Sequence, residues 1–237
     1  MTAIYKRELR SYFTTPIGYV FYAVFLALTA LVCCFTTIKA STRTTDVSMY
    51  FTVTLFMLVI VAPLLTMRLF AEEKKMRTEQ LLLTAPVSIT SMVFAKYLAA
   101  MTLYASALLI SWINVVPLFY FAEPEFGVIL GSYIALLLVG GAFIAIGVFM
   151  SSLTENQLAA AVSTTAVLLL FLAISFANSV IDNYVIRSIL SWFSIYARYS
   201  AFTYGIFDWV AVLYYLSISF VFCYLTIRIY EMRRWRS

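Results

Sequence analysis

The side chains most able to do chemistry are crowded into one stretch, Arg68 to Glu79, where Glu72, Glu73 and Glu79 are interleaved with Lys74, Lys75 and Arg77. Carboxylates beside cations can exchange protons, hold a metal or bind a partner by charge. The usual company of the first two roles is missing. The chain contains no histidine, which excludes a histidine-based triad, a zinc site built on histidine and a histidine proton relay. Its seven glycines form no Gly-x-x-x-x-Gly-Lys-Ser/Thr phosphate loop, so ATP hydrolysis of the usual kind is not expected of it. Cys33, Cys34 and Cys223 match neither a disulfide framework nor a zinc site and are read as packing residues. Binding remains. The stretch reads as a helix supported by Glu73–Arg77 and Lys75–Glu79 pairs and ended by Pro86. Leu81, Leu82, Leu83, Thr84 and Ala85 follow the charges as an apolar patch too short to span a bilayer, a candidate docking surface.

The elements around that stretch are dictated by lipid. Of 237 residues, 64% are hydrophobic and only 11% charged, against about a quarter charged in soluble domains. Such a chain cannot clothe itself in polar surface, and in lipid the backbone must satisfy itself within helices or a closed barrel. No period-two alternation favours a barrel. The charges leave six uncharged runs, 11–38, 47–67, 97–122, 126–154, 156–181 and 209–227, each long enough to cross. The expected fold is an all-α integral membrane protein of six helices in one domain, 1–237. Its spans lie at about 17–38, 50–67, 95–121, 127–151, 157–178 and 209–228. The basic start is read as the flank of a retained first span rather than a signal peptide.

Lys and Arg set the orientation. Lys6, Arg7, Arg10, Arg68, Lys74, Lys75, Arg77, Lys96, Arg228, Arg233, Arg234 and Arg236 fall on one side, against Lys39, Arg43, Arg187 and Arg198 on the other. The positive-inside rule places the first group, and both termini, in the cytoplasm. The net charge of +5 therefore reads as attraction to anionic headgroups, not to nucleic acid.

Three segments lie outside the spans. Over 1–16, Tyr5, Leu9, Tyr12 and Phe13 recur at helical spacing while Lys6, Arg7 and Arg10 take other faces, as in a helix lying in the headgroup plane; a basic flank that merely sets topology is the alternative. The segment 68–91 is cytoplasmic. The outer segment 179–208 is rich in aromatics, among them Tyr184, Trp192, Phe193, Tyr196, Tyr199, Phe202, Tyr204 and Phe207, and fits either short non-spanning helices or a plain aromatic belt. Within the spans polarity is mild. Asn114 is expected to make an interhelical hydrogen bond, and Gly140, Gly141, Ala142, Ala145 and Gly147 to permit close packing in span four.

Met67 to Ser88 resembles the cytoplasmic signature of type-2 ABC exporter permeases, and Lys6 to Pro16 and Ser151 to Gln157 resemble their other cytoplasmic motifs. The Ser-Ser-Leu-Thr-x-Asn-Gln form is closest to the gliding-motility-type branch. The resemblance implies a permease subunit that forms the translocation pathway and binds no cofactor itself, with ATP and Mg held by a separate ATP-binding subunit. It implies a second permease, in a homodimer or heterodimer, and admits an auxiliary membrane protein. The location implied is the inner, cytoplasmic membrane. Carried over by position, contacts to the ATP-binding subunit fall on Glu72, Glu73, Lys74, Lys75, Arg77, Thr78, Glu79 and Gln80, with Glu155 as a second contact. The interfacial helix with Tyr5, Lys6, Arg7, Leu9 and Arg10 meets the same subunit. One departure stands out: many members have glycine where this chain has Arg77, so a different local bend is expected. The alternative function is a membrane scaffold that recruits a cytoplasmic partner and moves nothing.

Overall fold

A computed structural model describes residues 1–38, 47–78, 88–121, 125–180 and 194–234. Among them every regular element is helical. Six segments are long and apolar enough to cross a membrane: Pro16–Thr36, Ser48–Lys75, Ile89–Asn114, Phe126–Leu153, Gln157–Ala177 and Trp209–Arg234. In chain order the helices are α1 (Thr2–Thr14), α2 (Pro16–Cys33), α3 (Ser48–Thr66), α4 (Ala71–Lys75), α5 (Ile89–Ser111), α6 (Val116–Phe121), α7 (Phe126–Leu153), α8 (Gln157–Val180), α9 (Ile195–Thr203) and α10 (Trp209–Arg234). A π-helical turn, Cys34–Ile38, extends α2, and a 3-10 turn, Trp112–Asn114, extends α5.

Local chemistry sets several of the boundaries. Pro16 occupies the first turn of α2, where its missing N–H costs nothing. The Ser88 and Ser194 hydroxyls accept from Ser91 N and Ala197 N and so cap α5 and α9. Asp208 does the same for α10 through Val210 N at 2.8 Å.

α7 is the central helix, packed against α3, α5, α8, α9 and α10. Small residues let its neighbours approach, as its composition suggests. A Cβ at Gly140 would collide with the Tyr104 ring and one at Gly147 with the Thr66 hydroxyl, while Ala142 and Ala145 are wholly buried. Asn114 donates to Thr29 Oγ1 at 3.1 Å, the interhelical bond its position suggests. Cys33 and Cys223 are buried, but Cys34 is exposed on the π-turn and packs nothing inside, correcting its reading as a packing residue.

At the α9 end, Tyr199 is fully buried and donates to Phe51 O at 3.0 Å, while Tyr196 and Phe176 both stack on Phe56. α9 is thus a short helix packed into the bundle beside longer ones. Tyr184, Arg187, Trp192 and Phe193 lie outside the described residues, as do Lys39, Arg43 and Arg236.

Candidate functional site

At the opposite end of the bundle, α1 packs across α2 and α5 and meets α4 in a network of charges. Lys96, about two turns into α5, is only 1% exposed. An ammonium has three protons to place, and each finds an acceptor: Leu69 O at 2.8 Å, Glu73 Oε1 at 2.9 Å and Glu8 Oε1 at 3.2 Å. Its charge also lies 5.1 Å above the Phe70 ring. Arg7 closes the square from the outer side, 2.7 Å from Glu8 and 2.8 Å from Glu73. A cation this deep is tolerable only because its partners are complete.

The electrostatics follow from that geometry. Burial pushes the Glu8 carboxyl up, but Lys96 and Arg7 together outweigh it and hold the group below its ordinary value. Burial lowers the Arg7 guanidinium, and Glu8 and Glu73 more than restore it, leaving it raised.

Arg68 forms a second clamp. Its NH1 donates to Thr15 Oγ1 at 2.6 Å, its NH2 to Ser11 Oγ at 2.7 Å, and its Nε pairs with Glu72 at 3.2 Å. Tyr12, almost fully buried under that guanidinium, donates to Leu65 O at 2.9 Å. α1 is therefore bound to the end of α3 and to α4 by side chains from three of its turns.

α7 and α10 complete the junction. No side chain of its own caps α4; instead the Ser151 hydroxyl of α7 accepts from Phe70 N at 3.1 Å and Ala71 N at 3.2 Å and donates to Met67 O. Lys74 donates to Ser152 O, and Arg233 of α10 reaches the same carbonyl at 3.3 Å. Phe70, fully buried, packs against Tyr230 with ring centroids 4.9 Å apart and planes tilted by 35°.

The structure sorts the residues singled out in the sequence. Glu73 and Lys74 face inward and Glu72 is shared with Arg68, whereas Lys75, Arg77, Thr78 and Glu155 are exposed. Glu79, Gln80 and the patch from Leu81 to Pro86 lie outside the described residues. On α1, Tyr5 and Leu9 are half-buried and Lys6 and Arg10 exposed, but Phe13 is 42% exposed and leaves the inner face. The long helix expected from Glu73–Arg77 pairing is corrected: α4 stops at Lys75, and Glu73 pairs with Arg7 and Lys96 instead. Glu8, Ser11, Thr15, Ser151 and Ser152 join this network although sequence reasoning met them only inside motifs and gave them no contacts, and Lys96 and Arg233 entered it only as markers of topology. The signal available for Lys96 was a lone charge inside an otherwise apolar helix.

The exposed turn after α4 has its own logic. Arg77 N bonds to Lys74 O and Thr78 N to Glu73 O, both at 3.0 Å, the paired bonds of a Schellman stop, with Arg77 at φ 55. That left-handed position suits glycine, so arginine holds it at a cost in strain. Arg77→Gly is expected to raise stability by about 0.5–1 kcal/mol. The readout is a thermal melt in detergent, with Arg77→Ala unchanged as the comparison; an Arg77→Gly melt below wild type would refute the strain.

Among the described residues no group of His, Cys, Asp and Glu could hold a metal. The arrangement ties α1, α3, α4, α5, α7 and α10 together at one end of the bundle and leaves the Lys75–Thr78 turn exposed. In comparisons with known proteins, the family described as ABC-2 family transporter protein matches residues 35–230, most of the chain. No curated protein matches it.

Proposed function

The chain belongs to the ABC-2 transporter family, and from that membership we propose that it is the permease subunit of an exporter whose energy comes from a separate ATP-binding subunit. As a family member it is a multi-pass transporter membrane protein. The direction of transport, the docking surface and the orientation are our reading. The Ser151–Gln157 motif supports placing the chain in the gliding-motility-type branch.

One observation carries the coupling: α4 is joined by ion pairs and hydrogen bonds to α1, α5 and α7 at once. A force on the projecting turn Lys75–Thr78 then reaches several spans without a flexible step. Met76, 68% exposed between Lys75 and Arg77, offers an apolar centre ringed by charge for the ATP-binding subunit. Glu155, exposed beyond the end of α7, supplies a second contact at this end. Two permeases with two ATP-binding subunits, ATP and Mg on the latter, make the working assembly. The concentration of Lys and Arg here supports a cytoplasmic location for this end and for both termini. α1, with Lys6 and Arg10 exposed and Phe13 and Tyr19 stacked edge to face, lies along the headgroups.

Reversing two exposed charges, Lys75→Glu with Arg77→Glu, is expected to lower co-purification of the ATP-binding subunit about tenfold without changing the melting temperature of the permease. ATP-driven movement of substrate in reconstituted vesicles should fall with it. Full assembly and full transport in that variant would remove the turn from the coupling path. Recruitment of a partner with no ATP-dependent movement in the wild-type protein would assign the chain to the scaffold role.

A further inference from the structure

Away from the junction, α9 turns into α10 through Tyr204 and Gly205, the latter at φ 79. Arg198 stands in the middle of α9 with its guanidinium carbon 4.5 Å from the centre of the Tyr214 ring. Its Nε is buried and has no hydrogen-bond partner. Among the described residues no carboxylate forms an ion pair with it; Asp208, the acidic neighbour on the α9–α10 connection, is engaged in capping α10.

The depth of this cation is informative. Trp209, Tyr204 and Phe207 are exposed at the start of α10, as aromatic side chains at headgroup level are. Tyr214 lies five residues further along, about 7–8 Å deeper at the helical rise, and its lipid-facing neighbours Leu213 and Leu216 are exposed and apolar. A guanidinium resting on an aromatic face there is attracted by the ring, and no anion among the described residues pairs with it. Its planar fork fits the oxygens of a phosphate, the anion that a bilayer presents just above, at the headgroup level marked by Trp209.

We propose that Arg198, stacked on Tyr214, is a binding site for a phosphate-bearing anion at the α9–α10 corner, supplied by a phospholipid headgroup or by free phosphate. The leaflet in which the site lies rests on the orientation proposed above; the site itself does not.

The test is native mass spectrometry of the full chain in detergent. Titration with dioleoyl phosphatidylglycerol is expected to show one tightly held lipid whose affinity falls about tenfold in Arg198→Gln and largely returns in Arg198→Lys. Inorganic phosphate that displaces this lipid identifies a site for the free anion; phosphate without effect identifies the headgroup as the source. Equal lipid affinity in wild type and Arg198→Gln overturns the proposal. Should Arg198→Gln fail to fold, wild type alone decides: dioleoylglycerol, with the same tails and no phosphate, must compete poorly, and equal competition overturns the site.

Discussion

Replacing Lys96 with methionine is expected to destabilise the protein by about 3–5 kcal/mol, the range for removing one partner of a buried ion pair. Methionine fills much of the lysine stem's volume, so the loss is electrostatic: Glu8 and Glu73 are left facing each other with Arg7 as their remaining cation, and Leu69 O loses its donor. Neutralising all three, as Lys96→Met with Glu8→Gln and Glu73→Gln, should recover a large part of the loss, because no charge is then left buried and unpaired. Equilibrium unfolding in mixed micelles reads both variants. Acid supplies an independent signature. The folded-state pKa of Glu8 is lowered, so its stabilisation is present above its ordinary value of 4.5 and is lost as pH falls through the lower folded value. Lys96→Met removes the main attraction behind that shift and should flatten the stability profile in this acid range. A single variant within about 1 kcal/mol of wild type, with an unchanged acid profile, would show that the network is ornamental.

Gly18→Ala is expected to cost about 1–3 kcal/mol and to loosen α1 from the bundle. The added Cβ would strike the Tyr12 carbonyl oxygen, with the carbonyl carbon at 3.0 Å and Tyr12 Cβ at 3.4 Å. Backbone cannot rotate aside as a side-chain tip can, so α1 must move as a body. Movement at Tyr12 pulls on its bond to Leu65 and on the Ser11 and Thr15 contacts with Arg68. Trypsin should then cut faster after Lys6, Arg7 and Arg10 than in wild type. Gly127→Ala is the control, since nothing lies within 4 Å of a Cβ there. If the two variants melt alike and α1 resists trypsin equally, the close approach at Gly18 does not hold the helix.

The spans were legible because lipid leaves little choice: a run without charge for 19 or more residues has few other fates. Their ends were less so. α5 begins at Ile89, several residues before the expected 95: the lysine that looked like a boundary lies within the helix, buried against acceptors on α1, on α4 and at Leu69. In the charged stretch the charges were legible and their pairing was not. Glu73 and Arg77 are correctly spaced for a helical pair, yet Glu73 prefers partners that are far away in the chain, Arg7 and Lys96, and no local rule anticipates them. Ser151 was visible only as part of a motif; its work, capping a helix that belongs to another part of the chain, exists only in three dimensions.

The same long-range wiring governs the order in which the protein can be made. Glu8 emerges early in synthesis, but Lys96 follows only after two further spans, and Ser151 and Arg233 later still. Until α5 has been inserted, α1 carries its carboxylate without its deepest partner, and α4 has no cap until α7 arrives. A chain stalled after α3 can therefore hold α1 only through Leu65 and Arg68. Completion adds Lys96 to Glu8 and the Ser151 cap to α4, so the junction closes last at the residues made last.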